Sequence, residues 1–229
     1  MRVEPRGEPL LRLLLALPFA VSAARSQCGT GSLQTPSPGG RSANVAVVEF
    51  TLTYDGPLAT RQSGNLRAKK HELRQAFHPQ LAELWTHQPL AQFRNAAEPG
   101  GRQFTTVEDL NFTSIAHQAL RLKVGLDITM LRPEAPGETL IAGGDIDNRL
   151  KTLFDALTVP KPGQLPRGWK PEETQDPLHC LLSDDQLISE VSVTTDRLLA
   201  AQYDSHVKLL IRVKLAASSS FAGYGILLA

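Results

Sequence analysis

Two separated acidic segments stand out as places where a divalent cation could be held. In Gly143-Gly144-Asp145-Ile146-Asp147-Asn148-Arg149-Leu150-Lys151, two carboxylates lie two residues apart where a loop becomes a helix. If the backbone is still extended there, both side chains point the same way, and the paired glycines allow unusual dihedrals and close approach of a ligand. On the helix that follows, Asn148, Thr152 and Asp155 share a face, and Lys151 stands one turn from Asp147. The second segment is Leu182-Ser183-Asp184-Asp185-Gln186-Leu187. Adjacent residues at the start of a strand point to opposite faces, so one of Asp184 and Asp185 is expected to meet the first pair. Three carboxylates gathered together raise one another's pKa unless a cation neutralises them, and Mg2+ or Mn2+ suits hard oxygen ligands. Such an ion activates water and stabilises a pentavalent phosphorane, as phosphodiester cleavage requires, and Lys151 adds positive charge against the phosphate. A plainer use of the same residues stays open: Asp145 or Asp147 as a helix cap, and Asp184-Asp185 as a turn before a strand.

These residues need elements to position them. Val48, Phe50, Leu52 and Tyr54 alternate with polar residues, which predicts a half-buried strand ended by Asp55-Gly56-Pro57. Leu73, Phe77, Leu81, Leu84 and Trp85 fall at helical spacing over about residues 69–84, with Pro79 expected to kink or split the helix. Residues 86–103 read as a polar loop. Leu120, Leu122, Val124, Leu126, Ile128 and Met130 alternate without a break and predict the strongest strand. Ile146, Leu150, Leu153, Phe154 and Leu157 then predict a helix, and 159–177, with five prolines, a loop. Two more strands are expected over 188–193 and 207–215. The order predicts an α/β (α+β) fold, a small mixed β-sheet with helices packed on it.

The chain has 229 residues and a formal net charge of +1. Five of its basic and two of its acidic residues fall within 1–43, so the remainder is net −2 and global charge does not point to nucleic acid. A local patch would have to do that, and the basic run Arg61, Arg67, Lys69, Lys70, Arg74 is the candidate DNA-binding surface; its bland alternative is a solvated helix face. Trp85 and Trp169 could stack on bases, with Trp85 expected in the core. The six histidines are scattered and receive no role. Cys28 and Cys180 are expected to be free thiols, as in a reducing cytoplasm. Near the N-terminus, arginines flank an apolar run over 13–20, the layout of a secretory signal peptide and too short to cross a membrane. Residues 1–43 are read either as such a signal, as a start-site artefact, or as a disordered extension. The domain expectation is 44–215, with an apolar tail over 216–229.

Gly144-Asp145-Ile146-Asp147-Asn148-Arg149-Leu150-Lys151, followed by Phe154-Asp155-Ala156-Leu157-Thr158, resembles the central motif of the RusA-type Holliday junction resolvases. Leu182-Ser183-Asp184-Asp185-Gln186-Leu187 resembles their second motif, and the likeness spans residues 120–193. The resemblance implies Mg2+ held by Asp145, Asp147 and Asp185, and a phosphate role for Lys151. Asn148 is then a supporting residue and Asp184 the adjacent acid. It further implies a cytoplasmic homodimer that cuts branched DNA in recombination and repair. The stretch between Thr158 and Asp184 is longer than the family pattern, and 68–85 has no counterpart in it. The expectation is therefore an Mg2+-dependent endonuclease without a membrane segment. The rival readings are a non-catalytic nucleic-acid- or protein-binding domain on the same fold, and an exported protein whose acids bind Ca2+.

Overall fold

The structure, a computed structural model, describes residues 48–59, 64–133 and 146–217, all within one compact unit spanning Ala43–Ala229. Asp145, Arg61, Cys28, the signal-like run and the C-terminal tail beyond 217 lie outside the described residues.

The alternating segments build the larger of two sheets. β1 (Val48–Pro57), β4 (Leu122–Arg132), β6 (Ile188–Arg197) and β7 (His206–Ala217) form it in the order β1-β7-β4-β6. β7 runs antiparallel to both β1 and β4, while β4 and β6 are parallel. Along β4 the period of two holds: Leu122, Val124, Leu126, Ile128 and Met130 are buried, and Lys123 and Asp127 face solvent. β7 presents Val207, Leu209, Ile211, Val213 and Leu215 to the same core.

Two helices supply the rest of that core. α1 (Leu66–Leu84) buries Leu73, Phe77 and Leu81 at turn-and-turn spacing. Pro79 lies inside it and does not split it into two helices, and the proline ring is exposed. α2 (Ile146–Leu157) buries Leu153, Ala156 and Leu157 as its apolar stripe requires. It is also turned so that Arg149 and Thr152 are buried, which the stripe alone does not indicate. Trp85 is core, 3 % exposed.

The second sheet is absent from the sequence reading. β2 (Phe104–Val107) and β3 (Leu110–Ala116) form a hairpin whose two turn residues, Glu108 and Asp109, both take positive φ, the backbone that twists with the strands. β5 (Leu178–Leu182) pairs parallel with β3. Thr113 and Ser114 sit fully buried between Phe112 and Ile115, so β3 carries no hydrophobic alternation to betray it. The proline-rich stretch after α2 packs here too, with Val159 and Leu165 joining Val107, Phe112, Leu178 and Cys180 in a second apolar cluster. Cys180 is a free thiol whose pKa burial pushes up to about 11. No helix among the described residues is long and apolar enough to cross a membrane.

Several histidines are enclosed where these layers meet. His71 and His78 lie on the buried side of α1, and the His78 Nδ1 accepts from the His179 backbone N–H at 2.9 Å. Burial lowers the pKa of His71 and His179 to about 4, and lowers those of His78 and His117 as well. The unfolded chain binds these protons near the ordinary 6.5, so between about 6.5 and 4 it holds more protons than the folded protein. Stability is then full above that window and declines as pH falls through it. Urea midpoints measured from pH 7.5 to 4.5 should fall continuously below about 6.5; a midpoint independent of pH there would show that the rings are not held neutral.

Candidate acidic site beside a basic recess

Asp155 and Asp185 come to one recess because two backbone segments are tied together three residues from each. Thr158 forms a bridge with Leu182, and the Val159 N–H donates to the Leu182 carbonyl at 2.9 Å. This fixes the end of α2 against the end of β5. Asp155, Thr158, Val159, Lys161, Gln164 and Asp185 consequently line one recess of about 40 Å3.

Of the two adjacent acids, the structure gives Asp184 the local duty. Its side chain accepts from the Gln186 N–H at 3.0 Å and starts a short 3-10 turn, Asp185–Leu187, ahead of β6. The Lys161 Nζ lies 3.9 Å from its other oxygen. Asp185, the first residue of that turn, is exposed. The turn replaces the expected strand start.

Asp147 is exposed in the first turn of α2. With Lys151 and Asp155 it recurs every four residues, so the three run along one side of the helix, drifting slowly around it. Asp147 stands two turns before Asp155, about 12 Å of helical rise, and is not a wall of the Asp155–Asp185 recess. Asn148 is half-buried and its carbonyl accepts from the Thr152 hydroxyl at 3.0 Å. Among the described residues, no group of three or more His, Cys, Asp or Glu side chains stands close enough to hold one metal ion. Two carboxylates can still be the whole protein share of a Mg2+ site, because that ion keeps several of its waters. Asp155 and Asp185 are the two carboxylates that line this recess, and the Gln164 Oε1 beside them accepts from the Lys161 N–H at 2.9 Å.

α1 brings cations to this place. Lys70 forms an ion pair with the Asp155 carboxylate. The Arg74 Nη2 donates to the Asp155 carbonyl at 2.8 Å and its Nε to the Thr158 carbonyl at 3.2 Å. Those carbonyls belong to the end of α2, where backbone acceptors lack helical partners and a cation is favoured. A second recess of about 180 Å3 is lined by Leu66, Arg67, Lys70, Arg74, Asp155, Gly163 and Gln164. It shares Asp155 and Gln164 with the first.

The expected DNA-binding run is thus divided by the fold. Arg67 and Lys70 face the site. Arg74, 2 % exposed, is a buried clamp rather than a surface phosphate contact, because its guanidinium is taken up by backbone carbonyls. Lys69 lines a different recess with Tyr54, Pro57, Ala59, Glu72 and Ser205. Trp169, half-buried, sets its ring against His71 at 4.2 Å between centroids. Lys161, Gln164 and Asp155 were given no role from sequence. Asp155 carried a signal, lying on the polar edge of α2 two turns from Asp147, whereas Lys161 and Gln164 lie in a proline-rich stretch without any pattern.

The class so defined is a small mixed α+β domain with an acidic recess opening beside a basic one. No family model, curated protein or solved structure matches the chain.

Replacing Arg74 by Met removes two charge-assisted bonds and strands two buried carbonyls, a loss of about 3 kcal/mol in urea unfolding. Replacing Lys70 by Met, whose ion pair is partly solvated, should change stability by at most about 1 kcal/mol. Equal losses from the two variants would contradict the division between clamp and surface cation.

Proposed function

We propose that this chain is a Mg2+-dependent endonuclease, with Mn2+ as a substitute, that cuts branched or structured DNA in recombination and repair. The reading is supported above all by the Asp155–Asp185 recess standing against the Arg67–Lys70 recess: acids that can hold a cation lie beside cations that can hold phosphate. The resemblance to RusA-type resolvases supplies the substrate class, the cytoplasmic setting and the expectation that two copies act together. When bound, the ion would lower the pKa of a coordinated water and offset charge on the phosphate.

The chain's own residues divide the remaining work. Asp185 and Asp155 are the carboxylates that the fold brings to one recess. Asp145 and Asp147 enter through the resemblance, with Asp147 on the same side of α2. Arg67 and Lys70 would seat backbone phosphates flanking the reacting one, and binding would weaken steeply with salt. Lys151, between Asp147 and Asp155 on the helix, and Lys161, at the recess wall, would steady negative charge on the phosphate oxygens. Lys70 must then exchange one anion for another, since its ammonium pairs with Asp155 in the unliganded protein.

A second reading, a domain that binds nucleic acid without cutting it, is favoured by that same ion pair: Asp155 is already neutralised without a metal. A synthetic four-way junction separates the two. With Mg2+ the parent should yield nicked products, EDTA should stop the reaction, and Asp185→Asn should lower the rate by about 100-fold or more while leaving binding in place. Asp155→Asn and Asp147→Asn, run beside it, show which acid on α2 completes the site. Tight binding by the parent with no products under any divalent ion would replace the nuclease reading with the binding one. Lys70→Met should weaken binding and flatten its salt dependence.

A further inference from the structure

The two edges of the larger sheet are treated differently. At the β1 edge, Gln80 of α1 reaches over the strand. Its Oε1 accepts from the Thr53 N–H at 2.9 Å and its Nε2 donates to the Thr53 carbonyl at 2.8 Å. A side-chain amide thus fills the place a neighbouring strand would take. The other edge is β6, ten residues long, which pairs with β4 on one side only. Among the described residues no strand pairs with its outer side. It carries neither proline nor lysine; its charges, Glu190, Asp196 and Arg197, flank an uncharged run over 191–195, and its register against β4 shifts only at its start, beside Ser189.

Its side chains also leave apolar surface open. Leu126 pairs with Val191 and Ile128 with Val193, so both valines lie on the core face of the sheet. Val193 packs on the core, whereas Val191 is 42 % exposed. The opposite face of β6 carries Glu190, Ser192, Thr194 and Asp196.

From the open edge and this pattern we infer that β6 is a homodimer interface, pairing antiparallel with β6 of a second copy about a two-fold axis at Ser192. The two-fold makes the contact self-complementary, and directly opposed residues must lie on one face. Centring on Ser192 sets each Val191 against Val193 of the other copy, continuing the core across the joint, and sets Glu190 against Thr194. Shifting the centre to Val193 would oppose Glu190 to Asp196, a like-charge pair. The joined sheet has eight strands.

This names a surface for the pairing proposed above and is measured without nucleic acid, so its failure and the failure of the nuclease reading are separate results. Sedimentation of the full chain should show a dimer at concentrations up to about 0.1 mM, and Val191→Lys should weaken it at least about tenfold. In a Cys28→Ser background, which leaves only the buried Cys180, Ser192→Cys sits on the axis and should form a covalent dimer on mild oxidation. Thr194→Cys is the control, because its two copies would stand about 13 Å apart along the strands. A monomer throughout that range, or cross-linking of Thr194→Cys as fast as that of Ser192→Cys, would overturn the inference. Should Val191→Lys fail to fold, the cysteine pair decides alone.

Discussion

The candidate site depends on one junction, where Arg74 of α1 and Leu182 of β5 both grip the end of α2. Arg74 supplies two donors to carbonyls that a helix terminus leaves without partners, and Leu182 accepts the N–H just beyond the last turn. A guanidinium suits this because its planar fork can bond two acceptors while its stem lies among apolar groups. The junction fixes α2 relative to both the helix that carries the basic residues and the strand that precedes the acidic turn. Asp155, Asp185, Arg67 and Lys70 are brought together by this arrangement, although they come from three distant parts of the chain.

The same junction explains why cations and acids alternate so closely here. An acidic recess without compensation would be strained by repulsion. Lys70 on Asp155 and Lys161 near Asp184 relieve it. The exposed Asp185 is the acid left facing solvent at the recess. The Lys70–Asp155 pair is only partly buried, so opening it costs little.

The two sheets divide the labour. The larger one is a scaffold: one face is packed beneath the helices, and the opposite face of β4 and β7 carries charges such as Lys123, Asp127 and Arg212. The smaller one locates residues, since β3 holds β5 in place and β5 leads directly into Asp184 and Asp185. Its polar residues are partly satisfied: the Thr113 hydroxyl donates to the Gln103 carbonyl at 3.2 Å and the Gln103 amide donates to the backbone carbonyls of Ser114 and Ile115, while the buried Ser114 Oγ has no hydrogen-bond partner.

By itself the sequence determined the scaffold. β1, β4 and β7 each carry period-two alternation, β6 carries a β-branched run, and α1 and α2 each carry a helical stripe, so local hydrophobic spacing was sufficient to specify them. It also marked Asp147, Asp185, Arg67 and Lys70 as residues whose charge needs a purpose. Only the tertiary structure decided which of these charges meet. The placing of Asp185 and Asp155 along one recess, the withdrawal of Arg74 into a clamp and the diversion of Lys69 to another recess all depend on how α1, α2 and β5 pack. The second sheet was equally invisible, because strands buried with polar residues among apolar ones have no periodic signature. Spacing along one element is a local property that a sequence displays directly, whereas contact between charges far apart in the chain is set by packing and hydrogen bonds that no single segment contains.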